Sequence, residues 1–278
     1  MFTNLIIGDD VEGKARSPLI WNTFYEKNAI NEKFISKNVI PTEINGVIKD
    51  FLSNPLIKAL VIAKPYKSLI GELISREVPV KGGERELSSV NLVYKEDGKV
   101  HLGSTDGFGF LRSLESDGFV LPEVTTVLGY GATSKSIIDQ IIIEGVDTHI
   151  EVYTRTSIVS PSRAHKEISF LPWQKLQNNL GKKTLIVNTT TVGNSSDLNS
   201  SILSAADIAS LDSSAHIKDV NYTIGTENQL GRSCRALNIQ YSDGLTMNFY
   251  QAVKALSLVY PMHSAHFDFS SIFQKKLS

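Results

Sequence analysis

Apolar and polar residues alternate along the chain with two periods, and the clearest case lies near its middle. The run of β-branched and apolar residues at 125–128 predicts a strand that ends at a glycine-rich turn. A second strand is predicted at 149–153, and Gly145 is placed to end the helix that precedes it. That helix shows apolar residues at helical spacing, namely Ile137, Ile138, Ile141 and Ile142. Strand, turn, helix and strand in this order predict a parallel βαβ unit.

The same two patterns continue on the N-terminal side of this unit. Ser17 is predicted as the N-cap of a first helix, with Pro18 in its first turn, and an amphipathic helix follows at 44–52. Strands are predicted at 4–8, 59–63, 90–94 and 99–102, the last two joined in a hairpin by Asp97-Gly98. Helices and strands therefore already alternate before the glycine turn.

On the C-terminal side, parallel strands are predicted at 184–189 and 217–220, with a helix at 200–210 between them. A long helix at 245–260 follows and ends at Pro261. This alternation predicts an α/β fold of two domains, with boundaries near Asp106 and Gly244. Residues 1–106 with 244–278 would form the substrate-binding domain, and 107–243 an inserted, doubly wound Rossmann-type domain.

Composition narrows the class of protein. The 278 residues are 41% hydrophobic and 21% charged, with a formal charge of −1, which gives no electrostatic reason to expect nucleic acid or membrane binding. The single cysteine, Cys234, excludes an intrachain disulfide, and the six histidines lack metal-ligand spacing, so no metal is expected. No signal peptide or membrane-length apolar run is visible. We expect a cytoplasmic protein, a monomer or homodimer, that acts on a small-molecule substrate.

The glycine turn predicts a dinucleotide site. Gly129 allows the tight turn, Gly131 lets the backbone approach a pyrophosphate, and the helix that starts with Ala132 and Thr133 offers unpaired N–H donors. Ser134 takes the third small position, usually Gly or Ala. An ordinary strand-to-helix turn could show the same residues, but the position between two predicted strands favours the dinucleotide.

The end of the second strand indicates which dinucleotide is preferred. An acidic residue there would bind the ribose hydroxyls and repel a 2′-phosphate, whereas this chain has Thr154-Arg155-Thr156. A guanidinium can bind a phosphate through paired, charge-assisted hydrogen bonds. The sequence therefore favours NADP over NAD, and the alternative is a solvated surface arginine.

Further short motifs follow one another along almost the whole chain. They are Ala15-Arg16-Ser17-Pro18, Lys64-Pro65-Tyr66-Lys67, Ser89-Val90-Asn91, Gly103-Ser104-Thr105-Asp106-Gly107, the glycine turn, Tyr153-Thr154-Arg155-Thr156, Asn188-Thr189-Thr190-Thr191-Val192-Gly193, Asp219-Val220-Asn221-Tyr222, and Asp243-Gly244-Leu245-Thr246-Met247 followed by Gln251. In this order they resemble the shikimate dehydrogenase family. The resemblance implies an NADP-linked oxidoreductase that interconverts 3-dehydroshikimate and shikimate, with two α/β domains facing across a cleft.

The resemblance also implies roles for individual residues. Lys67 and Asp106 match the catalytic pair: reduction of a ketone leaves an alkoxide that needs a proton, and the carboxylate positions the lysine that handles it. Without the resemblance, Lys67 reads as a surface lysine and Asp106 as a helix N-cap. The remaining matches are Ser17, Asn91, Tyr222 and Gln251 for the substrate, with Val220 and Gly244 for the cofactor.

The substrate-side positions depart from the family pattern in several places. Ala15 stands where a serine is usual, Ala63 where a threonine is usual, and Ser104 where an asparagine is usual; Leu92 replaces a threonine. Each lost hydrogen bond to a buried polar group costs on the order of 1–3 kcal/mol. Two alternatives therefore stay open: an enzyme for another hydroxylated ring acid, such as quinate or an amino analogue, and a non-catalytic sensor that binds a dinucleotide or metabolite.

Overall fold

The computed structural model describes residues 2–81, 87–155, 167–265 and 268. The strands are β1 (Phe2–Gly8), β2 (Glu32–Asn38), β3 (Ala59–Ile62), β4 (Val80–Lys81), β5 (Leu92–Glu96), β6 (Lys99–Gly103), β7 (Val124–Leu128), β8 (His149–Thr154), β9 (Ile168–Pro172), β10 (Leu185–Asn188), β11 (His216–Asp219) and β12 (Gln240–Ser242). The α-helices are α1 (Ser17–Lys27), α2 (Ile44–Ser53), α3 (Ile70–Glu77), α4 (Asp106–Ser116), α5 (Ala132–Ile143), α6 (Gln174–Gln177), α7 (Ala205–Ala209), α8 (Gln229–Ala236), α9 (Leu245–Val259) and α10 (Pro261–Ser264). Single 3-10 turns occupy Tyr66–Ser68 and Leu180–Lys182.

The chain divides into two compact units, residues 1–109 with 249–278 and residues 110–248. Each unit contains one six-stranded sheet. Both divisions fall inside helices, because α4 and α9 each contribute residues to both units.

In the first unit the sheet is mixed, in the order β2-β1-β3-β5-β6-β4, with β5 antiparallel to β3 and β6. Side chains of β1 alternate between two cores, as a strand period of two requires. Ile6 packs with apolar residues of α1 and α9, whereas Ile7 packs with those of α2 and α3. Helices therefore cover both faces of the sheet.

The hairpin between β5 and β6 forms where the sequence predicts it. Its two central residues, Asp97 and Gly98, have φ values of 48° and 71°. Positive φ at both positions is typical of a type I′ turn, whose twist matches that of the flanking strands. The turn chemistry thus fixes the pairing of Leu92 with Gly103 at the far end of the hairpin.

In the second unit all six strands are parallel, in the order β12-β11-β10-β7-β8-β9. The order reverses between β7 and β10, as in a doubly wound dinucleotide-binding fold. One face packs against α4, α5 and the start of α9, and the other against α6, α7 and α8. The predicted α/β fold with a Rossmann-type sheet is confirmed.

The central strands of this sheet end at one level. Leu128 of β7 pairs with Asn188 of β10, which pairs with Asp219 of β11. Ligands of open α/β sheets bind at the carboxyl ends of the strands, next to the point where the strand order reverses. The turns that follow these three residues are therefore the part of the unit in which to look for a site.

Some predicted elements need correction. Ser17 is not the N-cap of α1: Arg16 occupies that position and its carbonyl accepts the first helical hydrogen bonds, so Ser17 is the first helical residue. The predicted helix at 200–210 shrinks to α7, because Ser204 forms a capping box with Asp207 and starts the helix there. The strands β2, β4, β9 and β12 have no counterpart among the predicted elements.

Candidate functional site

A lysine–carboxylate pair lies in the first unit. Nζ of Lys67 lies 2.6 Å from Oδ2 of Asp106. The Asp106 side chain is only 2% exposed, whereas that of Lys67 is 18% exposed, so the ammonium remains accessible from one side. Asp106 is the first residue of α4, where the helix dipole favours a negative charge. The carboxylate is thus a fixed partner, and the amine is the group that a ligand can reach.

Asn91 connects this pair to two further side chains. Its Nδ2 lies 2.9 Å from Oδ1 of Asp106, 2.9 Å from Oγ1 of Thr105 and 3.0 Å from Oε1 of Gln251. Its Oδ1 accepts a hydrogen bond of 2.8 Å from the backbone N–H of Thr105. Both oxygens of Asp106 are therefore engaged, one by a cation and one by an amide. Thr105, for which the sequence predicts no role, is buried within this network.

Backbone pairing brings these residues together from three parts of the chain. The N–H of Asn91 donates to Gly103, the last residue of β6, and the N–H of Val90 donates to Lys67. Lys67 itself lies in the 3-10 turn that follows β3. Because β3, β5 and β6 are neighbours in the sheet, their ends deliver Lys67, Asn91 and Asp106 to the same edge.

The other predicted substrate residues lie apart from this network. Ser17 is buried in the first turn of α1, and within the described residues no hydrogen bond joins it to Asn91 or Lys67. Ala15 and Ala63 pack against the core that α1 and α9 share. Tyr222 belongs to the second unit, where it lines a polar pocket of about 220 Å³ with Asn221, Thr223, Thr226, Glu227, Asn228, Tyr241 and Asp243.

The glycine turn of the second unit has the geometry that the sequence requires. Gly129 has a φ of 94°, a conformation that residues with a side chain rarely adopt. A Cβ at this position would also lie 3.0 Å from Cγ2 of Thr190 and 3.2 Å from Oγ1 of Thr189. Gly129 is therefore required both by backbone conformation and by the segment that packs against it.

Gly131 and the start of α5 fit a pyrophosphate. No atom lies within 4 Å of a Cβ placed at Gly131, so a side chain there would enter open space and the bare backbone stays accessible to a ligand. Gly131 is the N-cap of α5, which begins with Ala132 and Thr133, and the first N–H groups of a helix have no partner within it. The hydroxyl of Ser134 donates to the carbonyl of Gly131 at 2.9 Å and is buried. The residues present thus fit a dinucleotide phosphate.

The residues predicted to bind a 2′-phosphate follow β8. Thr154 is the last residue of the strand, and its carbonyl accepts a hydrogen bond from the N–H of Trp173. Arg155 comes next and is exposed, which leaves its guanidinium available to an anion. Thr156, the third residue of this prediction, lies outside the described residues.

Val220 and Gly244 lie against each other at the end of β11. A Cβ at Gly244 would lie 2.1 Å from the carbonyl oxygen of Val220, so only glycine fits. The N–H of Gly244 also donates to the carbonyl of Asn221 at 2.9 Å. This contact fixes the segment that carries Tyr222 to the start of α9.

Asp219 lies in the motif Asp219-Val220-Asn221-Tyr222, and the sequence predicts no role for it. Its side chain is fully buried, and it accepts hydrogen bonds from the side chains of Asn188, Asn221 and Asn228. Burial raises the pKa of Asp219 to about 6, although these amide donors act in the opposite direction. A sequence signal for Asp219 does exist: a polar residue stands near the end of each of two neighbouring predicted strands, Asn188 in one and Asp219 in the other.

Membrane and metal chemistry find no support in the described part of the chain. None of its helices combines the length and apolarity that a bilayer span requires. Residues 2–81, 87–155, 167–265 and 268 also hold no group of three or more His, Cys, Asp or Glu side chains that could bind a metal ion. His165 and His266 lie outside these ranges.

Several known proteins have sequences similar to that of this chain. No protein-family model matches the chain. A shikimate dehydrogenase (NADP(+)) from Streptococcus mutans is 28% identical over 257 residues, covering 87% of this chain and 85% of that protein. The enzyme of the same name from a Chelativorans species is 27% identical over 246 residues, covering 86% and 84%.

Solved structures with the same fold cover the whole chain. Shikimate dehydrogenase 1 from Peptoclostridium difficile has a TM-score of 0.81 at 19% identity and covers 100% of both chains. Shikimate 5-dehydrogenase from Thermus thermophilus, in complex with NADP(H) and shikimate, has a TM-score of 0.78 at 20% identity and covers 100% of this chain and 99% of its own. The resemblance of this chain to the shikimate dehydrogenase family, predicted from its motifs, is therefore confirmed.

Proposed function

We propose that this chain is an NADP-dependent oxidoreductase that interconverts 3-dehydroshikimate and shikimate. The observation that carries the proposal is the Lys67–Asp106 pair, an accessible ammonium held at 2.6 Å by a buried carboxylate. The relatives described as shikimate dehydrogenase (NADP(+)) support the same reaction, because their similarity extends over most of the chain. The glycine turn at the start of α5 supports the dinucleotide.

The chemistry of the pair suits this reaction. Bound NADPH supplies the hydride that reduces the ketone. Lys67 delivers the proton that the resulting oxygen needs, and in the oxidation of shikimate it removes the proton from the hydroxyl. Asp106 keeps the amine in place, and Asn91 holds Asp106 through its second oxygen. A ring hydroxyl within hydrogen-bond reach of Lys67 would also meet the amide groups of Asn91 and Gln251.

The two predicted domains take separate tasks in this proposal. Residues 1–106 with 244–278 bind the substrate through Ser17, Asn91 and Gln251, and residues 107–243 bind NADP, with Tyr222 contributing to the substrate. The exposed guanidinium of Arg155 and the bare backbone of Gly131 support the second assignment. The proposal includes a cytoplasmic location and a monomer or homodimer, the latter to be measured by light scattering.

Steady-state kinetics with shikimate and NADP test the proposal directly. We expect reduction of NADP, followed at the absorbance of NADPH, that depends on the concentration of shikimate. Turnover of quinate alone would instead support an enzyme for another hydroxylated ring acid. Tight NADP binding without turnover of either acid would contradict an enzymatic role and support a sensor.

The cofactor preference gives a first prediction. NADP should bind more tightly than NAD, because the Arg155 guanidinium can form charge-assisted hydrogen bonds with the 2′-phosphate. Arg155→Asp should narrow or invert this preference, since a carboxylate repels the phosphate and accepts hydrogen bonds from ribose hydroxyls. Fluorescence titration of both dinucleotides checks this, with Arg235→Asp, another exposed arginine of the same unit, as control. Equal affinities for NADP and NAD in the unsubstituted protein would contradict it.

The altered substrate positions give a second prediction. If the substrate is shikimate, its KM should be unusually high, because Ala15 and Ala63 lack a donor, and Ser104 offers a shorter one, that would act equally in the ground and transition states. Restoring them as Ala15→Ser, Ala63→Thr and Ser104→Asn should then lower KM with less effect on kcat. The measurement is steady-state kinetics of both proteins with shikimate and quinate in parallel. A triple variant that does not improve on shikimate would indicate a pocket shaped for a different ligand.

A further inference from the structure

A buried carboxylate lies at the carboxyl end of β11, and within the described residues no cationic side chain forms an ion pair with it. The side chain of Asp219 is 0% exposed. Its Oδ1 accepts hydrogen bonds from Nδ2 of Asn188 at 3.0 Å and Nδ2 of Asn221 at 2.9 Å, and its Oδ2 from Nδ2 of Asn228 at 2.9 Å. A buried charge is costly unless its hydrogen bonds are fully made. Here three neutral side-chain amides supply most of them, and the backbone N–H of Asn221 donates to Oδ1 at 3.0 Å and the hydroxyl of Tyr241 to Oδ2 at 3.4 Å.

Each of the three amides also holds a carbonyl of one segment, residues 190–193. Nδ2 of Asn221 lies 2.9 Å from the carbonyl oxygen of Thr190 and 3.1 Å from that of Val192. Nδ2 of Asn188 lies 3.2 Å from the same oxygen of Val192, and Nδ2 of Asn228 lies 2.9 Å from that of Gly193. Each amide therefore bridges Asp219 and the segment.

The charge of Asp219 also fixes which way these amides point. An ionised carboxylate only accepts hydrogen bonds, so every asparagine must turn its NH₂ group towards it. The Oδ1 atoms then point elsewhere: that of Asn188 accepts from the hydroxyl of Thr190 at 2.7 Å, and that of Asn228 accepts from the N–H of Gly231 at 2.9 Å, capping α8. A neutral amide at position 219 would allow other orientations.

The segment at 190–193 stands directly beside the glycine turn. The hydroxyl of Thr189 donates to the carbonyl of Leu128 at 2.7 Å, and Thr190 lies so close to Gly129 that a Cβ there would approach it to 3.0 Å. Asp219 therefore fixes the position of the segment that lies beside the proposed dinucleotide site at the end of β10.

We propose that Asp219 is a positioning residue for the dinucleotide: through Asn188, Asn221 and Asn228 its carboxylate holds the segment at 190–193 against the glycine turn. This inference rests on the proposed binding of NADP. Asp219 itself is buried beneath the segment, so it acts on the ligand only through the amides and the backbone that they hold.

The pH dependence of binding reports this charge when the unsubstituted protein is compared with Asp219→Asn, because the 2′-phosphate of NADP also titrates near pH 6 and contributes to both proteins alike. Burial raises the pKa of Asp219 to about 6, whereas burial raises that of Cys234 to about 12 and that of Tyr241 further, so these two neighbours stay neutral near that pH. A protonated Asp219 carries a hydroxyl that competes with the amide donors. The dissociation constant of NADP should therefore rise more steeply as the pH falls through 6 in the unsubstituted protein than in Asp219→Asn, and equal profiles of the two proteins would contradict the role of the charge.

Two variants and a control test the inference. Asp219→Asn and Asn221→Ala should each raise the dissociation constant and the KM of NADP by about tenfold, the loss expected for a hydrogen bond to a charged group. Asn221 is half-buried in a loop, so Asn221→Ala should fold and test the positioning role even if Asp219→Asn does not fold. Glu151→Gln removes a carboxylate of β8 that binds Lys183, two residues before β10, and it should lower the melting temperature without changing NADP affinity.

The outcomes separate the inference from the proposed function. An Asn221→Ala protein that binds NADP as tightly as the unsubstituted protein would overturn the positioning role, as would an equal loss in Glu151→Gln. In Asn221→Ala a tenfold weaker affinity with a melting temperature close to that of the unsubstituted protein would support it. A failure of the unsubstituted protein to bind NADP at any pH would overturn the proposed function, and the inference with it.

Discussion

Replacing Lys67 with alanine should lower the turnover of shikimate by about 10²–10⁴-fold, the usual contribution of a positioned acid–base group. The variant removes the one ammonium that Asp106 holds at 2.6 Å and leaves Asn91 bound to the other carboxylate oxygen. NADP affinity should change little, because Lys67 and the glycine turn belong to different units. The measurement is steady-state kinetics of shikimate oxidation together with a titration of NADP.

An exposed lysine three residues earlier provides the control. Lys64→Ala removes the same charge from the same loop, but Lys64 is exposed and outside the pair, so turnover should stay close to that of the unsubstituted protein. The turnover of Asp106→Asn should lie between those of Lys67→Ala and Lys64→Ala. The amide that replaces the carboxylate would still accept a hydrogen bond from Lys67, but it would no longer stabilise the positive charge of the ammonium. A Lys67→Ala protein with full activity would remove Lys67 from the mechanism.

The largest expected effect on stability comes from an ion pair of the second unit in which the lysine is buried and the aspartate is 21% exposed. Lys218 of β11 is 0% exposed, and its Nζ lies 2.8 Å from Oδ2 of Asp117. Asp117→Ala should lower the free energy of unfolding by about 3–5 kcal/mol, because it leaves a buried ammonium without its counter-charge. Burial and the charge of Lys218 lower the pKa of His216 to about 4, so at neutral pH this neighbour adds no second cation.

Chemical denaturation at pH 7 followed by circular dichroism measures this effect. The double variant Asp117→Leu with Lys218→Met should be close to the unsubstituted protein in stability, because an apolar pair of similar volume avoids the desolvation of both charges. Glu115→Ala, which breaks an exposed pair with Arg112 on the same helix, should cost less than about 1 kcal/mol. A single Asp117→Ala loss no larger than that of Glu115→Ala would show that Lys218 finds another partner.

Short-range patterns of the sequence predict the central elements of the second unit. The strand β7, the glycine turn, the helix α5 and the strand β8 each follow from the spacing of apolar residues and from glycines within a few positions. The parallel order of strands followed from their alternation with helices, and the fold prediction is confirmed. The hairpin at Asp97 and Gly98 is equally local, since two residues decide its turn.

Edge strands are not predicted from the sequence, because their residues show little alternation of apolar and polar side chains. In β2 only Phe34 is buried, and β9 and β12 contain no buried residue. Such segments become strands because a neighbour offers a row of unpaired backbone groups, as β1 does for β2 over seven residue pairs. The prediction of Ser17 as the N-cap is wrong because the helix already begins at the backbone of Arg16.

The sequence by itself determined the class of fold, the glycine turn and the residue types available for chemistry, because these depend on neighbours within one or two turns of the chain. Only the tertiary structure decided which of these residues meet. Lys67, Asn91 and Asp106 come together because β3, β5 and β6 pair in the sheet. Likewise, the register that sets Asn188 beside Asp219 makes the network at the end of β11 possible. Such contacts join residues tens of positions apart, and the free energy that selects them comes from burying whole sheet faces.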